Sequence, residues 1–214
     1  MESASGNGHL VAKLQAEIAR LKEENRKLRA SNRRWMRIAG TDSLTGLPNK
    51  VFFTTALLPQ AIAQANTDGQ PLGGIMIAPD NLGEYNKKYG RSGGNDVVKG
   101  VADFLSENTE DEEKLVHIDG ANFCLIVPES DLNRTKRRAL TLRARVLNRQ
   151  FDCGDSSVPL TLSLGVVSRS PTSPGEDVDV KTVVESFLRK MEAAMDQAKQ
   201  AGGDRPQEDP ETSF

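Results

Sequence analysis

Lys114-Leu115-Val116-His117-Ile118-Asp119-Gly120-Ala121-Asn122-Phe123-Cys124-Leu125-Ile126-Val127 holds two short apolar runs on either side of a four-residue polar turn. That spacing predicts a β-hairpin. Upstream, Gly74-Ile75-Met76-Ile77-Ala78 reads as a third, buried strand. Downstream, Leu160 to Ser168 reads as a fourth, with apolar residues at alternate positions. Between these runs the apolar spacing is helical. Helices are predicted from the N-cap residue Asn49 to about Ala65, over Asp80 to Lys88, from about Gly94 to Glu107, over Asp131 to Gln150, and over Val180 to Ala201. Strands interleaved with helices give one α/β (α+β) domain over residues 41–202. Residues 203–214 are expected to be a disordered polar tail.

Ahead of this domain the pattern changes to heptads. Val11, Leu14, Ile18, Leu21, Leu28 and Trp35 are spaced 3, 4, 3, 7 and 7 residues apart. This places Val11, Ile18, Asn25 and Asn32 at a, and Leu14, Leu21, Leu28 and Trp35 at d. A β-branched a with Leu at d favours two parallel strands, and Asn at a fixes register. Residues 9–40 are therefore expected to be a parallel coiled-coil helix that makes a homodimer, preceded by disordered residues 1–8. Glu17 faces Lys22 of the partner and Glu24 faces Arg29, pairs that select orientation while adding about 0–1 kcal/mol each. The cations Arg26, Lys27, Arg29, Arg33, Arg34 and Arg37 sit within and after the heptads. A basic-zipper DNA binder would carry them before.

Composition narrows the function. The 214 residues carry 28 Lys+Arg against 30 Asp+Glu, a net charge of -2, without the basic excess of a nucleic-acid binder. No apolar run approaches the roughly 20 residues that span a bilayer, and Met1 to His9 lacks the parts of a signal peptide. Two cysteines are too few for a disulfide framework, and Cys124, inside an apolar run, reads as a reduced core residue. A cytoplasmic protein is expected, with neither membrane nor nucleic acid as partner.

Four segments, in this order, resemble the GGDEF domain of diguanylate cyclases, which make cyclic di-GMP from two GTP molecules. Asp42-Ser43-Leu44-Thr45-Gly46-Leu47-Pro48-Asn49 is similar to the family's D-x-L-T-G-L-x-N opening. The run from Asp80 to Gly90 resembles D-x-F-K-x-x-N-x-x-x-G, Ser163-Leu164-Gly165-Val166 resembles S-x-G-x, and Ala194 to Gly202 resembles A-x-Y-x-A-K-x-x-G. The resemblance covers almost the whole globular part. It implies a nucleotidyl-cyclase, ferredoxin-like fold with a central, mainly antiparallel sheet.

The resemblance also assigns residues. In that family, carboxylates at the end of the first strand and in the signature turn hold divalent metals that activate a 3′-oxygen. Here those positions are Ala78 and Ala121, and the signature reads Asp119-Gly120-Ala121-Asn122-Phe123. Alanine supplies no side-chain oxygen for Mg²⁺, so no metal site, no cofactor and no enzymatic activity are expected. The family's purine-contacting Asn matches Asn86, and its guanine-reading Asp matches Asn95, which offers one acceptor and a donor amide in place of two acceptors. Lys199 matches a lysine near the phosphates. Where the family's product-binding R-x-x-D site lies, this chain has Glu110-Asp111-Glu112-Glu113, which disfavours phosphate. His117, where the family often has Arg, is expected to pack rather than to bind metal. The function expected from the sequence is a degenerate, catalytically inactive GGDEF protein: a dimeric scaffold with a protein partner in a bacterial cyclic-di-GMP-type system. A non-catalytic receptor for GTP, cyclic di-GMP or another purine nucleotide is the alternative, and a residual diguanylate cyclase the third reading.

Overall fold

The structure is a computed structural model and describes residues 13–27, 40–172 and 179–209. The chain divides into two compact units, Met1–Gly40 and Thr41–Phe214. In the first, residues 13–27 form a helix, α1. Leu14, Ile18 and Leu21 are 54%, 51% and 51% exposed, and their spacing puts them on one face. Glu17 accepts from Arg20, and Glu23 accepts from Arg26 at 3.0 Å. Val11, Leu28, Asn32 and Trp35 lie outside the described residues.

The second unit begins with a short helix α2 (Lys50–Phe52). Asn49 caps it by accepting from the Phe52 amide at 3.0 Å. A π-helical turn, Phe53–Leu57, continues into α3 (Leu58–Asp68), which ends at the left-handed Gly69. There follow β1 (Leu72–Pro79), α4 (Leu82–Glu107), β2 (Lys114–Asp119), β3 (Asn122–Val127), α5 (Leu132–Val146), β4 (Gln150–Cys153), β5 (Ser156–Pro159), β6 (Leu162–Arg169), α6 (Val180–Gln200) and β7 (Arg205–Glu208). The main sheet has the order β2-β3-β1-β6-β7, and β4 and β5 form a separate ribbon. All main-sheet pairings are antiparallel except β6 with β7. The expected central, mainly antiparallel sheet is what the chain forms.

Two cores flank this sheet because its strands alternate. Ile75 and Ile77 of β1 pack with α4 and α5 residues such as Val97, Val101, Phe104 and Leu142. Met76 and Ala78 face the other way, into a core with Ile62 of α3 and Phe187 and Met191 of α6. Gly165 of β6 lets α6 approach closely, since a Cβ there would lie 2.2 Å from the Met191 carbonyl and 2.3 Å from the Met195 amide. The glycine of the Ser163-Leu164-Gly165-Val166 stretch is a packing requirement.

Two expectations need correction. The tail predicted from residue 203 is β-structured at Arg205–Glu208, where it pairs with Ser163 to Val166 of β6. The helix expected to reach Gln150 stops at Val146, and Gln150 begins the β4–β5 ribbon. The two helices expected on either side of Gly90 are present and meet there at a kink within α4, with Gly90 at φ 74, ψ 174, a conformation open essentially to glycine alone.

Candidate functional site

A cavity of about 570 Å³ opens where the end of β1, the start of α4, the β2–β3 turn and the end of α6 meet. Its lining includes Asp80, Gly83, Ala121, Asn122, Lys199 and Gly203. The Asp80 carboxylate does not project freely into this space. Oδ1 accepts from Ser163 Oγ at 2.6 Å, while Oδ2 accepts from Thr161 Oγ1 at 2.6 Å and from the Asp204 amide at 3.0 Å. Asp204 in turn receives Arg143 of α5 at 2.9 and 2.6 Å. Asp80 is thus consumed in fastening β7 to the sheet, and Lys199 is an exposed cation on the cavity wall.

The two alanines occupy different surroundings. Ala121 is half-buried and lines the cavity. Ala78 is 1% exposed and belongs to the core beneath α3 and α6. Neither supplies an oxygen beyond its backbone. Among the described residues, no group of three or more His, Cys, Asp or Glu side chains converges to hold a metal ion. The side chains at these two positions therefore do not fit the family's divalent metal.

Asn86 and Asn95 both lie on α4, on either side of the kink at Gly90. Both side chains are exposed. Asn86 lies over Gly94, with Oδ1 only 1.8 Å from where a Cβ would stand, so the lack of a side chain at Gly94 is what leaves room for the Asn86 amide. Asn86 is one helical turn beyond Leu82, which lines the cavity. The structure places Lys199 and the signature residues Ala121 and Asn122 on the cavity wall, and Asn86 and Asn95 are not among the residues that line it. Asn122 donates to Asp119 at 2.8 Å. Lys50 lies 4.0 Å from Asp119 and 3.4 Å from Glu192. Phe123 is fully buried and Gly120 takes a left-handed turn conformation at φ 52.

Two features escape sequence reading. Glu113, in the acidic run, is buried and bound by Arg138 of α5 through contacts of 2.6 and 2.7 Å. Hydrogen bonding by Glu113 leads the causes that hold the guanidinium in its charged form. One charge of the run is thus neutralised inside the protein by a residue 25 positions away. His117 is 5% exposed and stacks on Phe123, with centroids 4.8 Å apart. Its Nδ1 lies 2.8 Å from Asp42 Oδ1, and its Nε2 lies 3.1 Å from the Gly120 carbonyl. Asp42 also accepts from the Leu44 and Thr45 amides, at 3.1 and 2.9 Å, which closes the opening turn.

Comparison with known proteins agrees with this geometry. The family model for the diguanylate cyclase GGDEF domain matches residues 39–205. Diguanylate cyclase DosC of Escherichia coli K12 is 29% identical over 127 residues, 59% of this chain and 27% of that protein. Response regulator PleD of Caulobacter vibrioides is 27% identical over 195 residues, 90% of this chain and 41% of that protein. The chain thus spans less than half the length of these curated relatives. Among solved structures, the coiled coil and GGDEF domain of DgcB from Caulobacter crescentus, in complex with c-di-GMP, has a TM-score of 0.69 at 24% identity. It covers 91% of this chain and 98% of its own. Diguanylate cyclase SiaD of Pseudomonas aeruginosa, in complex with its activator SiaC, has a TM-score of 0.70 at 21% identity, covering 96% of this chain and 76% of its own. These similarities overturn one expectation. Ala78 and Ala121 imply a chain without enzymatic activity, but relatives such as DosC and TpbB are named as diguanylate cyclases, which points to an enzyme. Among the described residues no helix is long and apolar enough to cross a membrane.

Proposed function

Because the chain belongs to the diguanylate cyclase GGDEF family, we propose that it handles guanine nucleotides in bacterial cyclic-di-GMP signalling, with GTP as substrate class. The observation that carries this reading is the convergence of Lys199 and the signature turn on one polar cavity, bordered by the first turn of α4, the helix on which Asn86 and Asn95 are exposed. In this reading the asparagine amides contact the purine, and Lys199 attracts the phosphates. Asn95 leaves part of guanine's donor edge unmatched, so discrimination against adenine is weaker than an aspartate would give. The signature is degenerate in its carboxylates, and no reaction step is assigned to a metal ion held by positions 78 and 121.

The same proposal makes the protein a cytoplasmic homodimer assembled through a parallel coiled coil over residues 9–40. The exposed stripe of Leu14, Ile18 and Leu21 supports it. A protein partner is part of the reading, in line with the activator bound by the solved neighbour SiaD. Calorimetry with GTP, cyclic di-GMP and ATP tests the nucleotide assignment, with product formation followed by chromatography in the same samples. Asn86→Ala should weaken GTP binding about tenfold. Absence of binding across all three nucleotides would remove the reading.

A further inference from the structure

We propose that a groove between α3 and the sheet is the docking site for a basic, amphipathic peptide segment of a partner protein. An apolar side chain of the segment lies on the floor, and its arginines or lysines meet the rim. This seat rests on the reading above only for the existence of a protein partner. The groove has a volume of about 460 Å³ and shares no lining residue with the cavity of Ala121 and Lys199. It opens where β1 and β2 begin and β3 ends, whereas that cavity lies past the other end of β1.

Ala61, Gln64, Ala65 and Asp68 lie on one face of α3 and line the groove. The two alanines leave open the space that longer side chains would fill against the sheet. Leu72 of β1 and Ile126 of β3, each 1% exposed, make the floor with Ala65. The rim is acidic, with Asp68, Asp111, Glu112 and Glu129 set against one cation, Lys114. Lys114 donates to the Asp111 backbone carbonyl at 3.5 Å, and Asp68 accepts from Gln64 at 2.7 Å. Arg134, just outside, donates to the Glu129 backbone carbonyl at 3.1 Å. Among the described residues, none of the four carboxylates is in an ion pair. The acidic run before β2 is thus divided. Glu110 and Glu113 turn to Arg138 of α5, at 3.9 and 2.6 Å, while Asp111 and Glu112 border the groove.

Floor and rim together select the occupant. Like charges grouped around an apolar concavity focus negative potential inside it. A purely apolar segment would strip water from these carboxylates and give them no partner. A phosphate-bearing ligand would add charge of the same sign. A segment that lays an apolar side chain on Leu72 and Ile126, and turns cations to the rim, satisfies both surfaces. Arginine suits the rim best, because its planar fork engages a carboxylate through two N–H groups. The exposed Gln60 and Gln64 amides on the α3 side offer donors and acceptors to the segment's backbone.

The test is fluorescence anisotropy of a labelled peptide of repeating Arg-Leu-Ala units against the full chain. Two control peptides carry Ser in place of every Leu, or Glu in place of every Arg. The parent peptide should bind, and each control at least about tenfold more weakly. Glu112→Gln combined with Glu129→Gln, at two exposed positions, should weaken the parent peptide about tenfold and flatten its salt dependence. Glu112→Lys combined with Glu129→Lys should shift the preference to the Glu peptide. Ala61→Phe fills the groove and should abolish binding with the rim charges intact. Amide shifts on peptide addition should fall on Gln64, Glu112 and Lys114 and spare Asn122 and Lys199. A Ser peptide that binds as tightly as the parent would reduce the groove to a charged surface and overturn the proposal. So would a parent peptide that does not bind, rim or Phe variants that bind like the parent chain, or displacement of the peptide by cyclic di-GMP. GTP calorimetry on the same samples separates the two readings. Peptide binding without GTP binding removes the nucleotide assignment and leaves the groove, and the reverse result does the opposite.

Discussion

Ala78 and Ala121 take the two positions where the family resemblance expects carboxylates, and their surroundings give opposite forecasts for restoring them. Ala78 is 1% exposed in an apolar core, where a carboxylate would be stripped of water without a partner. Ala78→Asp should cost roughly 1–3 kcal/mol or more, read as a lowered midpoint in urea unfolding. Ala121 borders the cavity and has room at its surface. Ala121→Glu should leave stability within about 0.5 kcal/mol of the parent, while placing a carboxylate in the cavity lined by Lys199. Incubated with GTP and Mg²⁺, the Ala121→Glu variant should form cyclic di-GMP faster than the parent. Equal rates in the two proteins would show that the missing carboxylate at the turn is not what limits the chemistry.

At the scale of elements, β7 shows how a strand can be made by contacts rather than by its own sequence. Arg205-Pro206-Gln207-Glu208 has no apolar alternation, and its proline is tolerated because β7 is an edge strand. What holds it is Asp204, with φ 50, gripped by Arg143 and by Asp80 through its amide. Asp204→Ala should cost about 2 kcal/mol, the worth of hydrogen bonds to a charged group. It should also speed hydrogen exchange at Arg205–Glu208 while leaving β1 protected. This explains what the sequence conceals. The hairpin, β1, β6 and α6 are legible because period and turn chemistry are local. The break at Gly90 is legible because the apolar spacing stops there. By contrast, β7, the Glu113–Arg138 pair and the Asp42–His117 contact join residues 25 to 124 positions apart, and no local pattern announces them. The β4–β5 ribbon is missed for another reason, since the helical spacing of α5 masks where it ends.

For the whole molecule, the direction of carboxylate shifts sets the acid limit. Asp42 is lowered despite burial, Glu107 is lowered chiefly by its hydrogen bond from Arg149, and Asp179 by its hydrogen bond from Thr182. A lowered folded value means that the unfolded chain binds protons first. Their contribution is present above the ordinary carboxylate range near pH 4 and is lost as pH falls through the lower folded values. The thermal midpoint should therefore fall steadily below about pH 4. That acid limit concerns the globular unit; the proposed dimer rests on α1. A helix of 15 described residues, 13–27, is marginal alone in water. Leu14, Ile18 and Leu21 each leave about half their surface uncovered, and in the proposed dimer an opposing copy would supply the burial the helix needs. Light scattering on the full chain should give twice the chain mass of 23.3 kDa, and a chain starting at Thr41 should give one mass. Replacing Leu14 and Leu21 together by Ser should also give one mass, with loss of helical signal from residues 13–27 and no change in the melt of the globular unit. Its helix would lose the apolar face but keep the Glu17–Arg20 and Glu23–Arg26 pairs. A Ser variant that stays dimeric would place the contact outside the heptads, and a monomeric parent would remove the coiled coil.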